Sequence, residues 1–265
     1  MKIIRRILLV ICLAVFLYSA GNLAKIGYKY HKLDSDNKKL QEEVVTEVKQ
    51  DSPLDRKIDF NQLKSINEDI VGWIYIPNTN IDYALLKGKT NDTYIHTNYE
   101  KKYSFGGSIF LDEDNDASMT DSNTIIYGHN MKNGSMFANI KKFTDQDYFN
   151  NHPEVYIYLP DGSINVYSIY STKIINATSD YYLKDIDYAS YVANAKSSAK
   201  QSRDVDTQNT APLLLLSTCY AHDTPTRSVL FARLEKNVKS FTFFLSKKRQ
   251  NAHHNMKYRW GDECR

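Results

Sequence analysis

Apolar positions change their spacing twice along this chain, and each change marks a different kind of segment. Residues 7–24 are almost unbroken apolar and, as a helix, span roughly 27 Å, close to the hydrocarbon thickness of a bilayer. Residues 33–57, LDSDNKKLQEEVVTEVKQDSPLDRK, hold too few apolar side chains for a core and predict a polar stalk, helical up to Gln50 and broken at Pro53. A folded domain follows. It opens with a helix capped by Asp59, with Gln62 three residues later and Phe60, Leu63, Ile66 and Ile70 on one face. Strand-like runs come next: VGWIYI and IDYALL around the turn PNTN, then GSIFL, NTIIY, EVYIYL and INVYSIYSTKII, and finally LLLLS and RSVLFARL. One helical segment interrupts them around residues 182–201, where Tyr188, Tyr191, Val192, Ala195 and Ala199 recur at helical spacing. Eight short strands with few helices predict a mainly β fold, a closed or nearly closed antiparallel barrel with a helical insertion before its last strand pair.

Charge sharpens these boundaries. Residues 1–32 carry six Lys/Arg and no acid, residues 236–265 carry eight Lys/Arg against two acids, and the stretch between is net acidic although the whole chain is +3. A nucleic-acid binder would carry its positive charge on the folded domain, so that class is set aside. Lys2, Arg5 and Arg6 precede the apolar segment and further cations follow it, a small bias that places the N-terminus inside and the domain outside. A signal peptide cleaved near Ser19 and Gly21 is the rival to an uncleaved anchor. The division is therefore 1–32 cytoplasmic N-terminus and membrane anchor, 33–57 stalk, 58–235 single domain, and 236–265 basic extension.

Of three cysteines, Cys12 lies in the apolar segment and Cys264 in the basic extension, so the domain contains Cys219 alone. No spacing suits zinc or a disulfide framework, and no cofactor is called for. Cys219 stands where the run LLLLS stops and a polar turn begins, a place for an inert small core residue or for a reactive thiol. A reactive thiol needs a proton acceptor and an electropositive setting. His129, in IIYGHNM, also follows a β-rich run, and Arg227 begins the strand after the Cys219 loop. Consecutive strands bring the end of one near the start of the next, so Cys219 and Arg227 can face one cleft. Arg227 would then offer a fork of donors to an oxyanion; a surface salt bridge is the plain alternative.

LLSTC with Arg227 eight residues on, and YGHNM upstream, resembles the sortases, membrane-anchored cysteine transpeptidases of Gram-positive bacteria. DIVGWIYIPNTNIDYALLKGKTNDTYI, GGSIFLD and NTIIYGHNMKNGSMFANIKKF are similar to class B sortases in particular, over residues 58–235. The resemblance implies an eight-stranded sortase barrel and a two-step acyl transfer. Cys219 would attack the threonine carbonyl of an NPxTx sorting signal near the C-terminus of a surface protein, and an amine would resolve the thioester. That amine would belong to the peptidoglycan cross-bridge, to its lipid-linked precursor or to a pilin lysine. His129 would act as acid and base, and Arg227 would hold substrate and oxyanion. Asn91, Ile95 and Ser217 match substrate-groove positions, each with a structural alternative in a turn, the core or its own strand. Tyr181 and Tyr182 precede the insertion that forms one groove wall. A cysteine hydrolase, with water as acceptor, uses the same residues, and an idle wall-anchored binding module is a third reading.

Other features attract attention and are set aside. His222 and Asp223 share a loop with Cys219, yet the family histidine matches His129. The run DEDND at residues 112–116 alternates carboxylates like a calcium loop but has Ala117 and Asn123 where glycine and glutamate are needed, so it predicts a solvated acidic turn and no metal site. His253 and His254 belong to a basic, aromatic tail without further ligand pattern, and its apolar run SFTFFL is too short to cross a bilayer.

Overall fold

The computed structural model describes residues 2–46, 52–206, 210–221 and 224–239. The chain divides into two units, Met1–Glu43 and Val44–Arg265. The first is the body of one helix, α1 (Lys2–Val44), whose apolar side chains over residues 3–23 lie exposed. It is long and apolar enough to cross a membrane. Its polar half is laced by i,i+4 ion pairs, Lys32–Asp36 at 2.8 Å, Lys38–Glu42 at 3.6 Å and Lys39–Glu43 at 3.8 Å. The helix stops at Val44, short of the predicted Gln50. The next two residues, the β-branched Val45 and Thr46, pair instead with Ile58 and Lys57 in a short antiparallel ladder.

In the second unit α2 (Phe60–Ile66) starts where predicted: the Asp59 carboxylate accepts from the Gln62 backbone N–H at 3.0 Å. Ile70 does not extend that helix, because the extended Asn67 ends it and turns the chain, accepting from the Asp69 N–H at 2.9 Å. Besides a two-residue strand, Gln201–Ser202, that pairs with Ser171 and Thr172, eight strands follow among the described residues: β1 (Ile70–Tyr75), β2 (Asp82–Leu86), β3 (Ile109–Leu111), β4 (Asn123–Tyr127), β5 (Glu154–Tyr158), β6 (Ser163–Asn176), β7 (Leu213–Cys219) and β8 (Thr226–Lys239). They run in the order β8-β7-β4-β3-β2-β1-β5-β6, and β6 pairs with β8 to close the barrel. The sheet is not wholly antiparallel as predicted. β2 and β3 are parallel, and so are β4 and β7. Both connections are long enough to return the chain to the end where it started, which a parallel pair requires.

The parallel pair explains the LLLL run. Leu213, Leu214, Leu215 and Leu216 are all buried, in a strand flanked by β4 and β8 and covered on both faces. One cover is α4 (Tyr188–Lys196), whose Tyr191, Val192 and Ala195 pack with Leu213, Leu215, Val229 and Phe231. This helix is shorter than the predicted 182–201 because the Asp187 carboxylate caps it at the Ser190 N–H, while residues 180–182 form a separate 3-10 turn. Between β4 and β5 lies helical structure the hydropathy reading missed, a 3-10 segment over Ala138–Thr144 and then α3 (Gln146–Asn151). Phe137, Ile140 and Phe143 are buried at every third position, the period of a 3-10 helix rather than of an α-helix.

Candidate active site

Strand registry brings the chemistry together. Tyr127 of β4 lies opposite Ser217 of the parallel β7, the last pair of that ladder, and His129 and Cys219 each follow two residues further on. The step is held by hydrogen bonds: the Gly128 N–H donates to the Ser217 carbonyl at 3.2 Å, and Thr218 Oγ1 donates to the Gly128 carbonyl at 2.8 Å. Asn130 Nδ2 then donates to the Cys219 carbonyl at 2.9 Å. On the other side of β7, antiparallel pairing sets Cys219 opposite Arg227. The half-buried cysteine is therefore flanked by the histidine segment and by the arginine.

Gly128 lets this crossing close. A Cβ there would stand 2.4 Å from Ile109 Cδ1 and 2.7 Å from Cγ of the buried Phe137. Gly128→Ala is expected to overpack the site, to cost about 1–3 kcal/mol in denaturant unfolding and to displace His129. Unchanged stability together with unchanged activity would show that this contact is soft.

The His129 ring is fixed on one edge and stacked on one face. Nε2 donates to the Ile95 carbonyl at 2.8 Å, and the ring lies on His96 with centroids 5.6 Å apart and planes at 17°. A carbonyl can only accept, so in the neutral ring Nε2 carries the hydrogen and Nδ1 is the atom available to exchange a proton. Burial holds the imidazole below its ordinary 6.5, His96 adds to this, and the Ile95 carbonyl opposes it. An NMR titration of the His129 ring is expected to show a midpoint below 6.5, with base function lost only as pH falls through that midpoint. A midpoint at or above 6.5 would mean that the ring is more solvated than its packing shows.

Arg227 Nη1 donates to the carbonyls of Thr226 at 3.2 Å and Thr224 at 3.4 Å. It forms no ion pair with an acid among the described residues, so the surface salt-bridge alternative finds no partner there.

All six residues singled out from the sequence, Asn91, Ile95, His129, Ser217, Cys219 and Arg227, line one cavity of about 240 Å³. Its walls include Phe110, Tyr127 and Tyr182. Ser217, fully buried, shares a hydrogen bond of 2.8 Å with the Tyr182 hydroxyl rather than bonding its own strand, and Tyr182 stacks on Tyr127 at 6.0 Å. Tyr181 points elsewhere, into an aromatic cluster with Tyr191 and Phe231.

The acidic run at 112–116 is not simply a solvated turn. Asp112 is buried, and its Oδ2 accepts from the Tyr127 hydroxyl at 2.9 Å and from Asn91 Nδ2 at 3.0 Å. Asn91 Oδ1 accepts in turn from the Glu113 N–H at 2.9 Å. Asp112 thus braces one wall of the cavity, a role that composition conceals because its polar partners lie at distant positions. Among the described residues no cluster of three or more His, Cys, Asp or Glu is arranged to hold a metal ion. His222, Asp223, His253, His254 and Cys264 lie outside the described residues.

A strand-end thiol with an imidazole segment on one side and a guanidinium on the other suits covalent acyl transfer through sulfur. The sortase domain model matches residues 74–235. Sortase B of Listeria monocytogenes is 32% identical over 226 residues, covering 80% of this chain and 88% of that protein. The X-ray structure of Clostridium perfringens sortase B shares 34% identity at a TM-score of 0.61, covering 67% of this chain and 98% of that one. A Staphylococcus aureus sortase B–substrate complex shares 27% identity at a TM-score of 0.63, covering 81% and 94%. The chain belongs to the sortase family, and within it to class B, whose members are cysteine transpeptidases.

Proposed function

We propose that this sortase cleaves an NPxTx-like sorting signal after its threonine and transfers the protein so released to a cell-wall amine. The observation that carries this reading is the registry of Cys219 with Arg227 and of the neighbouring His129 segment, all on the wall of a groove with aromatic sides. The Cys219 sulfur attacks the threonine carbonyl while its proton passes to His129 Nδ1. Arg227 donates to the oxyanion of the tetrahedral intermediate. As the intermediate collapses, the C–N bond breaks, the imidazolium protonates the leaving amine and a thioester remains on Cys219. An acceptor amine then attacks the thioester, gives a proton to His129 and expels the thiolate.

Asn91, Ile95 and Ser217 form walls of the donor groove, Asn91 with its amide committed to Asp112 and Glu113, and Ser217 through Tyr182. Residues 1–32 anchor the enzyme by a single pass with the catalytic domain outside, supported by the exposed apolar face of α1. The partners are surface proteins with C-terminal sorting signals and the amine of the cross-bridge or its lipid-linked precursor. The test incubates the full chain in detergent micelles with NPxTx peptides, with and without an added amine. Cleavage after threonine and amine-dependent product are expected. Cleavage with water as the only acceptor, at every amine concentration, would favour a hydrolase.

A further inference from the structure

A second cavity, of about 700 Å³, adjoins the donor groove. The two share His129, Cys219 and Arg227 and no other lining residue, so the reactive thiol stands at their junction. The chemistry of the second cavity is different. Among the described residues it is lined by Lys132, Lys141 and Lys142 in addition to Arg227, and by no acid. None of the three lysines pairs with an acid among the described residues. Lys141 and Lys142 instead lie over the rings of Tyr220 and Tyr148, at 5.4 and 5.7 Å from the centroids. Both come from the 3-10 segment between β4 and β5, and Lys132 from the turn that the Asn130–Met136 bridge closes. Asn139, also in the lining, is buried, and its Oδ1 has no hydrogen-bond partner among the described residues.

We infer that this lysine-lined trench is the entry for the second substrate, and that the acceptor it selects carries an anionic group, carboxylate or phosphate, alongside its amine. The inference rests on the transpeptidase reading above and adds the charge class of the acceptor. Four cations around one open cavity repel a bare ammonium, so a simple cationic amine is a poor guest. Two consequences follow. The same field lowers the pKa of an incoming ammonium and favours the free amine, the only form that can attack a thioester. An acceptor bearing an anionic group gains from the lysines what its ammonium would lose, and the Lys141–Tyr220 contact sets one of those charges over the ring of the residue that follows Cys219. Among the described residues the donor groove, with Phe110, Tyr127 and Tyr182, is lined by no cation but the shared Arg227 and His129.

The experiment compares triglycine, triglycinamide and aminoethyl phosphate on the full chain in neutral detergent. In the first arm, each is titrated by NMR or calorimetry into the Cys219→Ala protein without sorting peptide, which reads the trench apart from any acyl chemistry. In the second, the ratio of aminolysis to hydrolysis of the sorting peptide is measured for each amine. Anionic probes are expected to bind and to partition about tenfold better than triglycinamide, an advantage that shrinks as ionic strength rises. The triple variant Lys132→Ala/Lys141→Ala/Lys142→Ala should lose this preference, and its Lys→Arg counterpart should keep it. The order of triglycine and aminoethyl phosphate then says whether carboxylate or phosphate is the better match. Equal binding of charged and neutral probes, or a preference that survives in the triple alanine variant, would overturn the inference. Preferential binding in the first arm without peptide cleavage in the second would uphold the trench and refute the sorting-signal reading instead.

Discussion

Replacing Cys219 by alanine will reduce cleavage of a sorting peptide to the uncatalysed background and leave the barrel intact. The sulfur is the only protein atom in the proposed sequence that forms a covalent bond to the substrate carbon, and the hydroxyls beside it are committed elsewhere: Ser217 is fully buried and hydrogen-bonded to Tyr182, and Thr218 is buried and donates to the Gly128 carbonyl. The fold should not register the change. Cys219 is half-buried at the end of β7, and its ladder with Arg227 and its bond from Asn130 are made by backbone atoms that alanine retains. Unfolding free energy is expected to stay within about 1 kcal/mol of the parent. Cleavage by the alanine variant at a measurable fraction of the parental rate would move the nucleophile elsewhere. Cys12→Ala, on the exposed face of α1, is the matched control and should have full activity.

Arg227→Lys will be nearly as damaging as Arg227→Ala. The guanidinium already uses Nη1 on the carbonyls of Thr226 and Thr224, which orients the planar group and leaves its other donors for the groove. Lysine has one mobile ammonium and cannot hold the loop and meet an oxyanion at the same time. Losing such a donor typically costs about 2.7–4 kcal/mol, a hundredfold to a thousandfold in rate. The loss should fall on acylation rather than on peptide binding, because the contact strengthens only as charge builds on the carbonyl oxygen. Single-turnover kinetics with an NPxTx peptide give the answer. Acylation within threefold of the parent in the lysine variant would make Arg227 a loop-anchoring residue only.

Much of this was legible in the chain, for reasons that differ from element to element. All eight barrel strands coincide with apolar or alternating runs, since burial of a strand face leaves a local signature at a period of two. The Asp59 cap was equally visible, because a cap acts within one helical turn. Pairing is a non-local property. Nothing within NTIIY or LLLLS says that they lie side by side and parallel, yet that ladder is what brings the His129 segment up to Cys219. The Cys219–Arg227 proximity could be argued from one loop, whereas the approach of His129 rested on resemblance. Residues whose role depends on distant partners were missed or misread for the same reason. Asp112 looked like one more acid in a charged turn, and only the fold shows it buried between Tyr127 and Asn91. Gly128 was simply part of a motif until Phe137 and Ile109 were found against it. The 3-10 segment at 138–144 escaped because its three-residue period matches neither the α nor the β template.

The central claim, that Cys219 carries the acyl group between donor and acceptor, is tested most directly by trapping the intermediate. The full chain is mixed with a sorting peptide in the absence of amine, quenched in acid within one turnover, digested and analysed by mass spectrometry. The account requires the fragment containing Cys219 to gain the mass of the peptide up to and including its threonine, and to lose it on treatment with hydroxylamine. Cleaved peptide without that adduct, or an adduct on any other residue, would contradict it.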